Sequence, residues 1–353
     1  MKDFNGRYSG KVFERNGDRI FGEYADYLKA GDHSTGLISS IKYGSLKDGR
    51  YVISEGLSYK YDKCSNISEI WKNGKLVVSY TYDKLKRLIR EDNKAFGKSW
   101  FYSYDNNGNI MSKREANYTK KSDGEIDKYN YEKQYFYDGD KLINIGEEKF
   151  AYDAFGNPVT YANKTLIWEK GRLVDYNGIR FEYDGYGNRV KKGDEIFIYN
   201  VDGKLLRVNK GDDILEFIYD EDGVCGLKHG DKQYLYRENA QGDITHIYSL
   251  DGELAAQYEY DAWGNHIVKD GEGNIITSQQ HIGNLNPFRY RGYLYDSEIK
   301  LYFLKSRYYD PETGRFISQD KVSYLDPKTI NGLNLYAYCG NNPVMRVDKN
   351  GCD

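Results

Sequence analysis

A four-residue unit recurs along this chain: an aromatic residue, any residue, Tyr, then usually Asp. It reads Tyr59-Lys60-Tyr61-Asp62, Tyr80-Thr81-Tyr82-Asp83, Tyr102-Ser103-Tyr104-Asp105, Tyr135-Phe136-Tyr137-Asp138 and Phe150-Ala151-Tyr152-Asp153. It continues as Phe181-Glu182-Tyr183-Asp184, Phe197-Ile198-Tyr199-Asn200, Phe217-Ile218-Tyr219-Asp220, Tyr234-Leu235-Tyr236-Arg237 and Tyr258-Glu259-Tyr260-Asp261. Successive copies start 15 to 33 residues apart, so the unit is a hairpin-sized module with variable loops and not a solenoid of fixed period. Residues i and i+2 of a strand face the same side, which predicts both rings packed on one face. Asp then ends the strand and opens a turn by accepting backbone amides ahead of it. Gly108, Gly156, Gly187, Gly223 and Gly264 follow three residues later, as does Gly203 after Asn200, where a type I turn or a left-handed residue wants glycine.

A second element supports the hairpin reading. Trp71-Lys72-Asn73-Gly74-Lys75-Leu76-Val77 reappears as Trp168-Glu169-Lys170-Gly171-Arg172-Leu173-Val174, each a strand, a two-residue turn and a return strand. The chain has 37 Tyr and 37 Gly against 5 Pro, which fits many half-buried strands joined by tight turns. No long segment carries apolar residues at helical spacing. The expected fold class is all-β, antiparallel, with little helix.

The formal net charge of −3, with no basic stripe, lacks the footprint of a nucleic-acid binder. Residues 1–10 contain no apolar core of a signal peptide, and no run approaches the roughly 18–20 apolar residues of a membrane-spanning helix. Cys64, Cys225, Cys339 and Cys352 form no CxxC pair and read as scattered free thiols. His33, His229, His246, His266 and His281 are isolated and read as surface or turn residues, so neither a metal nor a cofactor is expected. Asp105-Asn106-Asn107-Gly108-Asn109 has its glycine too early for a calcium loop and reads as a turn. Gly271-Glu272-Gly273-Asn274 reads as a loop between elements.

The YxYDxxGN units between residues 59 and 265 resemble the YD-repeat (Rhs) family, which includes wall-associated contact-inhibition toxins, toxin-complex C subunits and teneurins. That resemblance implies a spiralling antiparallel sheet of hairpins forming part of a hollow shell. A second match is more specific. Arg307-Tyr308-Tyr309-Asp310-Pro311-Glu312-Thr313-Gly314-Arg315-Phe316-Ile317-Ser318-Gln319-Asp320 and Asn334-Leu335-Tyr336-Ala337-Tyr338-Cys339-Gly340-Asn341-Asn342-Pro343-Val344 are similar to the Rhs-associated core. The division implied is 1–58 degenerate repeats with an incomplete start, 59–284 YD hairpins, and 285–353 the core, or plug.

In that family the core closes the shell and an effector begins just beyond it. Many members cut themselves there through two DPxGL elements, each supplying an Asp. The resemblance places these aspartates at Asp320 and Asp348, with Arg315 orienting or balancing the pair and the cut between Cys352 and Asp353. Two adjacent carboxylates sharing a proton can activate water and polarise a carbonyl. Lys321 and Lys349 replace both prolines, Ser323-Tyr324 replaces the first Gly-Leu, Cys352 replaces the second Leu, and Asp326-Pro327-Lys328-Thr329 lengthens the gap. Two readings follow: a self-cleaving pair, or aspartates that cap turns.

Three functions are consistent with this sequence. One is an encapsulation and delivery module for a C-terminal toxin, partnered by that effector and by upstream repeats, outside the cell or on the wall as in full-length relatives. Another is an extracellular carbohydrate- or wall-binding module in which exposed tyrosines stack on sugars. The third is a self-processing protease. The structural residues expected to build the wall are Tyr61, Asp62, Tyr82, Asp83, Tyr104, Asp105, Tyr152, Asp153, Tyr183, Asp184, Tyr260 and Asp261.

Overall fold

The computed structural model describes residues 7, 9–15, 18–30, 33–47, 50–120, 128–320 and 334–352. Among the described residues every strand pairs only with its neighbours in sequence, always antiparallel, in a 12-stranded sheet from Gly10–Arg15 to Glu148–Lys149 and a 14-stranded sheet from Ala151–Tyr152 to His266–Lys269. Only Phe150 separates the two sheets in sequence. A small 4-stranded sheet, Leu294–Asp296 to Arg315–Phe316, follows. The strand Arg50–Tyr61 runs across position 58, so the first residues described belong to the same continuous sheet as the recognisable repeats. The α-helix found, Ile282–Leu285, is a single turn.

The repeat builds its wall in the way its chemistry predicts. Among the leading aromatics all but Tyr80 are buried, from Tyr135 at 2% exposure to Tyr234 at 8%. Except for the buried Tyr236, the second tyrosine is half-buried, and its hydroxyl does something the sequence did not reveal. Tyr82 donates to the Ile67 carbonyl, Tyr104 to Leu88, Tyr137 to Ile110, Tyr199 to Arg189, Tyr219 to Leu205 and Tyr260 to Ile244. Each acceptor is the first residue after the turn of the preceding hairpin, so these six units are each bolted to the one before, whereas Tyr236 donates instead to Asn286 Oδ1. The strand register also slips just before Tyr61, Tyr82, Tyr104, Tyr137, Tyr152, Tyr183, Tyr199 and Tyr219. An irregularity repeated at one position adds twist in one sense each time and curves the wall.

The turns follow one pattern. In Asp105, Asp153, Asp184 and Asp261 one carboxylate oxygen accepts the backbone N–H groups two and four residues on, at 2.8–3.0 Å. The other oxygen accepts the side-chain amide of the Asn at the fourth position. Glycine at the third position is left-handed, as at Gly108 with φ +82°. Asp270 to Asn274 makes the same turn, although no aromatic pair precedes it.

The wall closes on itself. Tyr43 donates to the Glu238 carbonyl at 2.7 Å, Arg237 pairs with Glu55 at 2.5 Å, and Asn93 donates to the Tyr260 carbonyl at 2.9 Å. Phe21 stacks on Tyr248 with centroids 5.4 Å apart. Strands near the start of the chain thus face strands more than 150 residues later, and the ring-bearing face of the wall rests on the C-terminal block. Tyr290, Tyr302, Tyr309 and Tyr338, at most 1% exposed, share one core with Trp100, Tyr102, Tyr135 and Trp263.

Two histidines depart from the surface or turn reading. His246 is buried, its Nε2 bonded to Arg237 at 2.8 Å, and His266 lies among Tyr258, Tyr295 and Tyr302. Strand alternation turns both inward, which an isolated residue type does not signal. Burial and the neighbouring guanidiniums, Arg237 and Arg289, push both imidazoles well below their ordinary pKa.

Candidate functional site

The C-terminal block seats itself on the turns of the repeat. Asn334 donates to Asn109 Oδ1 at 2.8 Å, Asn341 to the Gly108 carbonyl at 2.7 Å, and Asn342 to Asn66 Oδ1 at 3.1 Å. The Tyr336 hydroxyl donates to the Gly156 carbonyl at 3.0 Å. A buried bidentate pair adds a firm anchor: Arg189 grips both oxygens of Asp296, and Tyr308 bonds the same guanidinium at 3.1 Å. The asparagines of the Asn334–Val344 segment therefore bond to two Asp-opened turns of the wall, 105–109 and 62–66, the second carrying Ser65 where the first carries Gly108.

Within this block Asp320 and Asp348 meet on one cation. Arg307 Nη2 lies 2.7 Å from Asp320 Oδ2 and 3.6 Å from Asp348 Oδ2. The guanidinium also donates Nη1 to the Leu335 carbonyl at 2.9 Å and lies over the Phe316 ring, 3.6 Å from its centroid. Burial pulls the Arg307 pKa below its ordinary value, against the two carboxylates that raise it. Asp348, fully buried, accepts the backbone N–H groups of Asn350, Gly351 and Cys352 on Oδ1 at 3.1, 2.6 and 3.0 Å. That is the turn geometry of the repeat, rebuilt at the end of the chain.

Arg315, expected beside the aspartates, is placed elsewhere. Its Nη2 donates to the Asp140 carbonyl at 2.5 Å, and its guanidinium lies 5.0 Å from the centroids of Tyr137 and Tyr336. Arg315 ends a strand pair with Asp310 that turns it toward the wall, whereas Arg307 precedes the strand Tyr308–Asp310 and faces the chain end. Both arginines were visible in one sequence motif; only the direction of each strand separates them. Cys352 sits with its thiol 3.3 Å from Ser306 Oγ. Asp353, Lys321, Ser323, Tyr324 and the segment 326–329 lie outside the described residues.

Asp62, Asp83, Asp105, Asp153, Asp184 and Asp261 each accept backbone N–H groups of the turn that follows. No group of His, Cys, Asp and Glu able to hold a metal occurs among the described residues. A cavity of about 300 Å³ lies at the closure of the wall, bordered by Glu55, Lys72, Tyr80, Arg237, Asp243 and His246. Asp320 and Asp348 are not among its lining.

The chain belongs to the teneurin YD-shell family, whose model matches residues 123–275 and 265–344. It is 32% identical over 286 residues to the tRNA nuclease WapA of Bacillus subtilis (strain 168), a match covering 76% of this chain and 12% of that protein. It is 24% identical over 339 residues to double-stranded DNA deaminase toxin A of Burkholderia cenocepacia (strain H111), covering 82% of this chain and 22% of that protein. The fold is shared with the solved TcdB2-TccC3-TEV structure at a TM-score of 0.68 and 17% identity, over 99% of this chain and 19% of that one. The Tc holotoxin pore of Photorhabdus luminescens superposes with a TM-score of 0.65 at 16% identity, over 99% of this chain and 19% of that one. The chain thus corresponds to a small part of each of these longer proteins.

Proposed function

We propose that this chain is the closing segment of a β-shell that encloses and delivers a toxic effector joined beyond its C-terminal block. The observation carrying this reading is the seating of Asn334, Asn341 and Asn342 on the turns at Asn109, Gly108 and Asn66. A plug bonded residue by residue to the wall fixes where the polypeptide leaves it. The named relatives include a nuclease and a deaminase toxin, each far longer than this chain. By the same reading the full-length protein acts outside the cell or on the wall, with upstream repeats completing the enclosure.

A glycan-binding role has less support, because the paired rings of the repeat point into the wall and are not offered to sugars. Enclosure is tested by protease protection. The chain is produced with its natural downstream segment, with and without the preceding repeats. The downstream segment should resist digestion only in the longer form; equal digestion in both removes the proposal.

Release by the aspartates belongs to the same proposal. Arg307 gathers Asp320 and Asp348 close to the last described residues, which suits a local cut. A segment appended after Asp353 should be freed, with release lost in Asp320→Asn and Asp348→Asn. A cut that survives both changes excludes the carboxylates as its agents.

A further inference from the structure

The carbonyl of Gly351 is held unlike those of the repeat turns. Its oxygen accepts Arg307 Nε at 2.5 Å and lies 2.7 Å from Ser306 Oγ, whose hydroxyl is shared with the Asn350 carbonyl at 2.6 Å. At Gly108, Gly156 and Gly264 the carbonyl accepts a neutral side chain, from Asn341, Tyr336 and Tyr302, and the next residue is Asn. At Gly351 one donor is a cation and the next residue is Cys352. A carbonyl oxygen gripped by a guanidinium and a hydroxyl is set up to carry negative charge.

The other parts of an acyl transfer surround the same bond. The Cys352 thiol donates to Ser306 Oγ at 3.3 Å, and that serine also touches the Gly351 oxygen. The Cys352 amide N–H donates to Asp348 Oδ1 at 3.0 Å. Gly351 has φ +75°, and a Cβ there would lie 2.6 Å from Ser306 Oγ and 3.1 Å from the Leu304 carbonyl. Only glycine lets this carbonyl into its cradle.

We propose that the Gly351–Cys352 bond undergoes an autocatalytic N-to-S acyl shift. The Cys352 sulfur bonds to the Gly351 carbonyl carbon through a five-membered ring, an intramolecular attack favoured by proximity. Arg307 and Ser306 hold the oxyanion. The C–N bond then breaks, and the thiol proton ends on the Cys352 nitrogen beside Asp348. The product is a Gly351 thioester with a free Cys352 amine, so the step is an isomerisation needing no co-reactant. Water or an added thiol opens the C–S bond, leaving Gly351 as the new C-terminus. The cut falls one residue before the bond that the aspartyl scheme breaks. It stands on the geometry at Gly351 and does not require that an effector be enclosed.

The test uses the full 353-residue chain with a peptide tag after Asp353, incubated folded with and without hydroxylamine or dithiothreitol. Mass spectrometry should find the body ending at Gly351, as its hydroxamate in hydroxylamine, and the tag beginning with Cys352. Release should be lost in Cys352→Ala and reduced in Ser306→Ala, with circular dichroism confirming that each variant folds. Cys64→Ala should leave it unchanged. A cut mapping after Cys352, release persisting in Cys352→Ala, or no release from the folded tagged chain overturns the inference. The first result would favour the aspartates. The last would leave the enclosure proposal to its own protection experiment.

Discussion

The Tyr104 hydroxyl donates to the carbonyl of Leu88 at 2.5 Å, tying one hairpin to the start of the previous return strand. Its partner ring in the same unit, Tyr102, is buried with a hydroxyl that has no hydrogen-bond partner among the described residues. Two tyrosines two positions apart therefore carry opposite polar balances. Tyr104→Phe leaves the Leu88 carbonyl short of a donor and should cost about 1 kcal/mol. Tyr102→Phe removes an unsatisfied buried group and should be neutral or stabilising. Urea denaturation of the two variants checks this; an equal loss in both would mean that the hydroxyl ladder contributes nothing.

The Arg189–Asp296 pair should matter more than any surface ion pair. Both side chains are at most 3% exposed, and Lys192 adds a third contact at 3.2 Å. Removing one member strands the other in a low-dielectric site. Asp296→Ala should cost about 3–5 kcal/mol. Lys191→Ala, breaking an exposed contact with Glu182, should change stability by less than about 1 kcal/mol. Thermal unfolding of the two variants separates these cases, and similar shifts would refute the anchoring role.

Glycine positions with the same backbone separate by surroundings. Gly74 and Gly264 both have positive φ, +74° and +97°. A Cβ at Gly74 meets open space, whereas at Gly264 it lies 2.8 Å from the Tyr290 ring. Gly74→Ala should cost about 1 kcal/mol from backbone strain alone. Gly264→Ala must also displace a fully buried ring and should lose several times as much, read as a fall in denaturation midpoint. Equal losses would show that the Tyr290 contact yields freely.

The hairpins, the facing of their rings and the turn glycines were legible because each is local: period two along a strand, then a carboxylate and a glycine at fixed offsets. Asn73-Gly74 was legible for the same reason, with both residues at positive φ as a two-residue hairpin turn requires. The Tyr-to-carbonyl ladder was not, since its acceptor, as at Ile67 for Tyr82, is a backbone atom with no residue preference. Asp320 and Asp348 could be matched to a motif. The choice of Arg307 over Arg315 depends on which way two short strands point, and the clamp on Gly351 depends on Ser306, some 45 residues away. Contacts between distant backbone atoms leave no pattern in one sequence.

The closure of the wall should weaken as pH rises. Glu91 is buried where the first sheet meets the Asp261 turn, accepting the Ala262 N–H at 2.9 Å and the Asn93 amide at 2.9 Å. Burial, then the Asp261 charge, pushes its pKa up to about 8, against the Ala262 and Asn93 hydrogen bonds and the Lys113 charge, which lower it. Burial likewise raises Glu23 to about 8 and Glu238 to about 7 along the same closure, where Lys11 and Arg237 offset part of the effect. These carboxyls are protonated in the fold and ionise near their ordinary pKa of about 4.3 once unfolded, so unfolding releases protons between those limits. Their stabilising effect is complete below that ordinary value and is lost as pH climbs to about 8. At about 1.4 kcal/mol per pKa unit, Glu91 alone contributes on the order of a few kcal/mol to the change. Glu91→Gln cannot ionise, so its stability should be flatter across this range: at or below the parent near pH 5, where the amide fits the two donors less well, and above it near pH 8.5. Denaturation midpoints across that range should therefore cross. Parallel curves for parent and variant would mean that Glu91 is already charged in the closed wall, and that the seam is held by Lys113 and the backbone amide against an ionised carboxylate.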